Sequence, residues 1–60
     1  MKLYELKNGD RFKVVGYDKV FIFGGCDGSC AKVFETEKDY ELFVRHQLFW
    51  CNLAVERANR

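Results

Sequence analysis

Sixty residues carry ten lysines and arginines against nine acidic residues, so an excess of charge of either sign is missing. A dedicated nucleic-acid binder usually shows a marked basic excess, and an anionic membrane surface attracts one too. Neither partner is favoured by net charge. Long apolar runs are absent as well: the opening MKLYELKNGD holds nothing resembling a signal-peptide core, and no later stretch has the length of a transmembrane helix. A cytosolic protein with no membrane partner is expected. Three cysteines are too few, and odd in number, for a disulfide framework, which fits a reducing compartment. The glycine-rich GGCDGS lacks the lysine and the following helix of a phosphate-binding loop. The chain also shows no internal repeat, and its length suits one domain spanning residues 1–60.

What the chain has in quantity is rings. Ten of its residues are aromatic, an efficient filling for a core in a domain that can bury only about 60% of its unfolded surface. Little volume remains for an enclosed active site, so no enzyme is expected and no cofactor is assigned.

Turn chemistry divides the first half. LYEL runs into KNGD, where Asn8-Gly9 suits a tight turn, so a first strand is expected to end near Leu6. RFKVVGY and VFIFGG read as the next two strands. Asp27-Gly28 is a hairpin signal, and AKVFE resumes alternation, so Lys19–Gly25 should pair antiparallel with Ser29–Glu35. A two-residue Asp-Gly loop places Cys26 opposite Ser29, with Cys30 turned to the other face. A three-residue loop would set Cys26 opposite Cys30.

The second half has two readings. From Thr36 to Arg60 there is neither Gly nor Pro, and Thr36 with Asp39 three residues on resembles a helix N-cap. Tyr40, Val44, Cys51, Val55 and Ala58 then share one helical face, giving a four-stranded β-meander followed by one C-terminal α-helix from about residue 37. Against this, Leu42, Phe49 and Leu53 form a second apolar stripe that a surface helix would expose or dock. The preferred division is a strand YELFVRH, a short turn LFWCN and a last strand LAVER.

That preference comes from resemblance. GDRFKV, VFIFGGCDGSCAKVF and LAVE resemble the layout of small phage-encoded barrel proteins, in which a Gly-x-x-Phe strand precedes an aromatic strand, a Gly-x-Asp-Gly hairpin and a closing Val-Glu strand. QLFWCNLAVE is similar to the end of Src-homology-3 domains, where a Leu-Phe pair enters a 3₁₀ turn containing an Asn and a Val-Glu strand closes the barrel. The likeness spans roughly Leu6 to Glu56. It implies a mainly β, Src-homology-3-like antiparallel barrel, phage-encoded and working in the host cytoplasm. The chain departs from the eukaryotic domain in lacking any Pro, lacking its aromatic opening motif and carrying Trp50 where that domain has Pro. A proline-rich-peptide groove therefore does not transfer.

Candidate chemistry is sparse. Cys26, Cys30, His46 and Cys51 make up a zinc-ligand count of four, at spacings near the common ones but not on them. Their alternative reading is one small buried apolar thiol and two turn-flanking ones. Cys30 or Cys51 with His46 as base is the nucleophilic possibility, which would also need an oxyanion hole and a cleft. The carboxylates offer no convincing acid/base pair. For nucleic acid, Phe12, Tyr17, Phe21 and Phe23 with Arg11, Lys13, Lys19 and Lys32 could form a stacking platform, or could instead be core rings beside edge-blunting lysines.

Protein recognition is the expectation that remains. VFIF and LFVRHQLFW hold more large apolar side chains than a thin barrel easily buries, so Phe21, Phe23, Phe43, Arg45, Phe49 and Trp50 are the candidate partner-binding residues. By the resemblance, the partner would be a bacterial host or phage protein that is inhibited or redirected. The competing readings of the same rings are a completed core or a homodimer interface.

Overall fold

In the computed structural model, which describes residues 1–58, five antiparallel strands form one open sheet accompanied by one small helix. The strands are β1 (Arg11–Val14), β2 (Val20–Asp27), β3 (Cys30–Phe34), β4 (Gln47–Trp50) and β5 (Val55–Arg57), in the order β4-β3-β2-β1-β5. Between β3 and β4 lies α1 (Glu37–Leu42).

The expected first strand is a 3₁₀ turn, Leu3–Glu5. Leu3 and Leu6 stand three residues apart, which eclipses them on a three-residue turn, and both are buried. Burying that pair outweighs the alternation that LYEL shows as a strand. The Lys2 amide donates to Glu5 Oε2 at 2.9 Å and closes the turn. The Asn8-Gly9 turn forms where expected, with the Asp10 amide on the Lys7 carbonyl at 2.9 Å.

Sheet parity sorts the side chains onto two faces. Phe12 is paired with Phe21, and Phe23 with Val33, so these rings share the inner face with Ala31 and Val55. Leu3 and Leu6 close over them, and Phe49 packs at the margin. The rings of Phe12, Phe21 and Phe49 lie within 5.0–6.3 Å of each other, two of the three pairs edge to face. On the outer face Ile22 is paired with Phe34, and α1 with the residue that ends it covers Phe34, Tyr40 at 5.6 Å and Phe43 at 5.1 Å between ring centroids.

Neither reading of the second half is observed whole. Thr36 does cap a helix, its Oγ1 accepting the Asp39 amide at 3.1 Å, but the helix ends after six residues. Phe43 adopts φ 56°, ψ 47°, and the Val44 amide reaches back to the Asp39 carbonyl at 3.0 Å, a Schellman-type closure made without glycine. A left-handed Phe is strained. Its ring is held between Phe34 and Lys32, whose Nζ lies 5.1 Å from the ring centroid, and Arg45 grips Asp39 from beyond the end. Consequently YELFVRH is helix and turn rather than strand. Leu48, Phe49 and Trp50 of the expected turn LFWCN join Gln47 in β4, while LAVER does supply the last strand.

The β2–β3 hairpin pairs as expected in direction but in a third register: Asp27 faces Cys30 and Cys26 faces Ala31, with Gly28 and Ser29 as the loop. Gly28 at φ 70° meets the loop's need for a left-handed residue. A bulge between Phe23 and Cys26, with Gly25 at φ 103°, inserts an extra residue and reverses the parity beyond it. Cys26 therefore returns to the inner face, three residues after Phe23.

Candidate functional site

The six expected partner-binding residues divide between core and surface. Phe21 and Phe23 are buried, 8% and 4% exposed, and do not belong to an exposed patch. Phe49 is half-buried against Phe12 and Phe21. Trp50, next along β4, points the opposite way and is 65% exposed. Phe43 and Arg45 are exposed, although Arg45 is tied to Asp39 Oδ1 through Nε at 3.1 Å and Nη2 at 2.9 Å.

Two surfaces result. One is an open apolar groove of about 400 Å³ on the inner side, lined by Val14, Tyr17, Lys19, Phe21, Phe49 and Leu53. The other is the outer face of β3 and β4, where Leu48 is paired with Lys32 and Trp50 with Cys30. Leu48 is 61% exposed, and Phe43 adjoins through Lys32. Leu48 was not among the sequence candidates. The signal lies in QLFW: read as a strand, Leu48 and Trp50 alternate onto one face, an alternation that the turn reading of LFWCN hides.

β4 is also a sheet edge. Among the described residues it pairs with β3 alone, and its four residues include neither a charge nor a proline. The opposite edge is treated differently. Beside β5, Lys2 bridges Ala54 and the Val55 amide donates to the Met1 carbonyl at 2.9 Å, so the N-terminal segment covers the start of that edge.

The nucleic-acid platform does not assemble. Phe12, Phe21 and Phe23 are core, leaving Tyr17 as its one exposed ring. Two of its four cations are engaged, Arg11 with Glu37 and Lys19 with Glu35 at 3.0 Å.

The zinc set is likewise dispersed. Cys30 lies on the outer face beside Trp50, and exposed His46 packs its ring 6.2 Å from that of Phe34. No three potential ligands converge among the described residues. The nucleophile–base pairing meets the same geometry, since the neighbour of Cys51 is a thiol: its Sγ lies 2.7 Å from Cys26 Sγ. Burial, together with the hydrogen bond and charge of Cys26, pushes the Cys51 thiol up to about 11. No helix among the described residues is long and apolar enough to cross a membrane.

Compared with models of known families, with curated proteins and with solved structures, the chain matches none.

Proposed function

We propose that the chain is a non-catalytic protein-binding module, a small Src-homology-3-like barrel that takes up an extended segment of a partner protein along the free edge of β4. The barrel reading is supported by the pairing of β5 back onto β1 and by the single turn at Cys51 and Asn52 that leads from β4 towards β5. The likeness bears on architecture; the binding reading rests on the edge itself.

A single observation carries it: an edge strand that is unpaired among the described residues exposes Leu48 and Trp50 on one face with no charge or proline to blunt it. Free backbone amides and carbonyls along such an edge are a template for another strand, and natural edges are usually protected against that pairing. The occupant is an extended segment with apolar residues at alternate positions, to lie on Leu48 and Trp50, and a carboxylate opposite Lys32. By the resemblance to phage-encoded barrels, it belongs to a host or phage protein whose activity is inhibited or redirected.

The test compares capture by the tagged chain with capture by Leu48→Lys and Trp50→Ala, after nuclease treatment. Both side chains are exposed, so the melting temperature should hold while partner affinity falls about 30-fold, the scale of a hot-spot loss. A partner retained equally by both variants would refute the edge as the site. Recovery that disappears with nuclease and weakens steeply with salt would move the function to nucleic acid. Concentration-dependent self-association lost in the same variants would make the occupant a second copy.

A further inference from the structure

The bulge in β2 has a consequence for the thiols. By returning Cys26 to the inner face it aims that side chain towards the chain leaving β4. β3 lies between the two strands but begins only at Cys30, and beyond its end the chain turns across the hairpin loop. There the Cys51 amide donates to the Ser29 carbonyl at 2.9 Å, and the Cys51 carbonyl accepts the Tyr4 amide at 2.9 Å. Cys51 is thus pinned on both sides of its own backbone. Its Sγ sits 2.7 Å from Cys26 Sγ, less than an ångström beyond the ~2.05 Å of a disulfide bond. Cys26 is exposed and Cys51 half-buried, so a reagent reaches the pair from the Cys26 side.

We propose that Cys26 and Cys51 form a dithiol site that exchanges with low-molecular-weight disulfides of the glutathione class and closes to an intramolecular disulfide. In the first step the Cys26 thiolate attacks one sulfur of the small disulfide, forming a mixed disulfide and releasing one small thiolate. In the second, Cys51 gives its proton to solvent and its sulfur attacks Cys26 Sγ, releasing the other small thiolate. The protein loses two hydrogens and two electrons; the small disulfide is reduced to two thiols. The raised Cys51 thiol makes the second step quicken with pH. Cys30, on the opposite face beside Trp50, takes no part. Closure links the end of β2 to the turn following β4 and is independent of whether the β4 edge binds a partner.

The experiment treats the reduced full chain with oxidised glutathione, quenches with acid, and reads intact mass and a non-reducing peptide map. The expected product is monomeric, lighter by two hydrogens, with Cys26 and Cys51 linked and Cys30 still alkylatable. Its melting temperature should exceed that of the reduced chain by roughly 10–25 °C, as a bridge closing a loop of this length implies. Cys30→Ser should behave identically, whereas Cys26→Ser should form no internal bond. A bond that includes Cys30, or glutathione persisting on Cys26 beside an unreacted Cys51, would overturn the proposal.

Discussion

Gly24→Ala isolates the contact on which the outer face depends. Gly24 does not occupy the left-handed region, so an alanine there meets no backbone penalty, unlike Gly25 at φ 103°. Space is the constraint. An added Cβ would stand 2.5 Å from Phe34 Cε1 and 3.1 Å from the Lys32 carbonyl oxygen, both inside ordinary van der Waals contact. The carbonyl belongs to the backbone of β3, held between β2 and β4, so the ring has to give. Phe34 is fully buried, with Ile22 beside it in the sheet and Tyr40, Phe43 and His46 around it, so it cannot retreat without disturbing α1. Overpacking of this kind costs about 1–3 kcal/mol, and the unfolded-state gain of replacing glycine returns about 0.4–1 kcal/mol. The two ranges leave a net loss of roughly 0–2.6 kcal/mol, about 1.3 kcal/mol at mid-range, the latter seen as a fall in melting temperature of roughly 5–10 °C. Urea denaturation of the single variants and of Gly24→Ala/Phe34→Leu forms a cycle. The smaller Leu should make the pair less damaging than the sum of the singles by about 1 kcal/mol. Strict additivity of the two substitutions would refute the packing of Phe34 on Gly24.

Other outcomes follow from the same geometry. Thr36→Ala removes the acceptor of the Asp39 amide and should cost about 1 kcal/mol in urea denaturation, with Thr36→Ser nearly neutral. In the reduced chain the Cys51 thiolate, followed by its ultraviolet absorbance, should appear near pH 11, and Cys26→Ser should lower it only in part, because burial, the larger cause, remains. Because the folded-state value is the higher one, the native chain keeps a proton there that the unfolded chain loses. The associated stability is complete below about pH 9 and is lost as pH rises through about 11, so denaturation midpoints of the reduced chain should fall across that window.

Local signals in this sequence proved reliable where a short-range rule had no competitor. Asn8-Gly9, the Thr36 cap, the aromatic strands and the antiparallel hairpin each follow from backbone preferences spanning a few residues. The end of α1 had no such marker: with no Gly or Pro after Thr36, only packing against Phe34 and Lys32 holds Phe43 left-handed and frees QLFW to become a strand. That single termination decided which face Trp50 takes and brought Leu48 beside it.

The cysteines divide the same way. Composition alone established a small aromatic-rich chain with near-neutral charge and an odd thiol count. The register at Cys26 depends on a bulge, and one extra residue reverses every side chain beyond it. Periodicity cannot reveal such an insertion, since GGCDG fits several registers. Only the assembled sheet, with the chain after β4 crossing the hairpin loop, brings residues 26 and 51 together. Local chemistry thus determined where most strands begin and turn. The assembled tertiary structure decided which side chains face one another, because that depends on contacts between segments far apart in the chain.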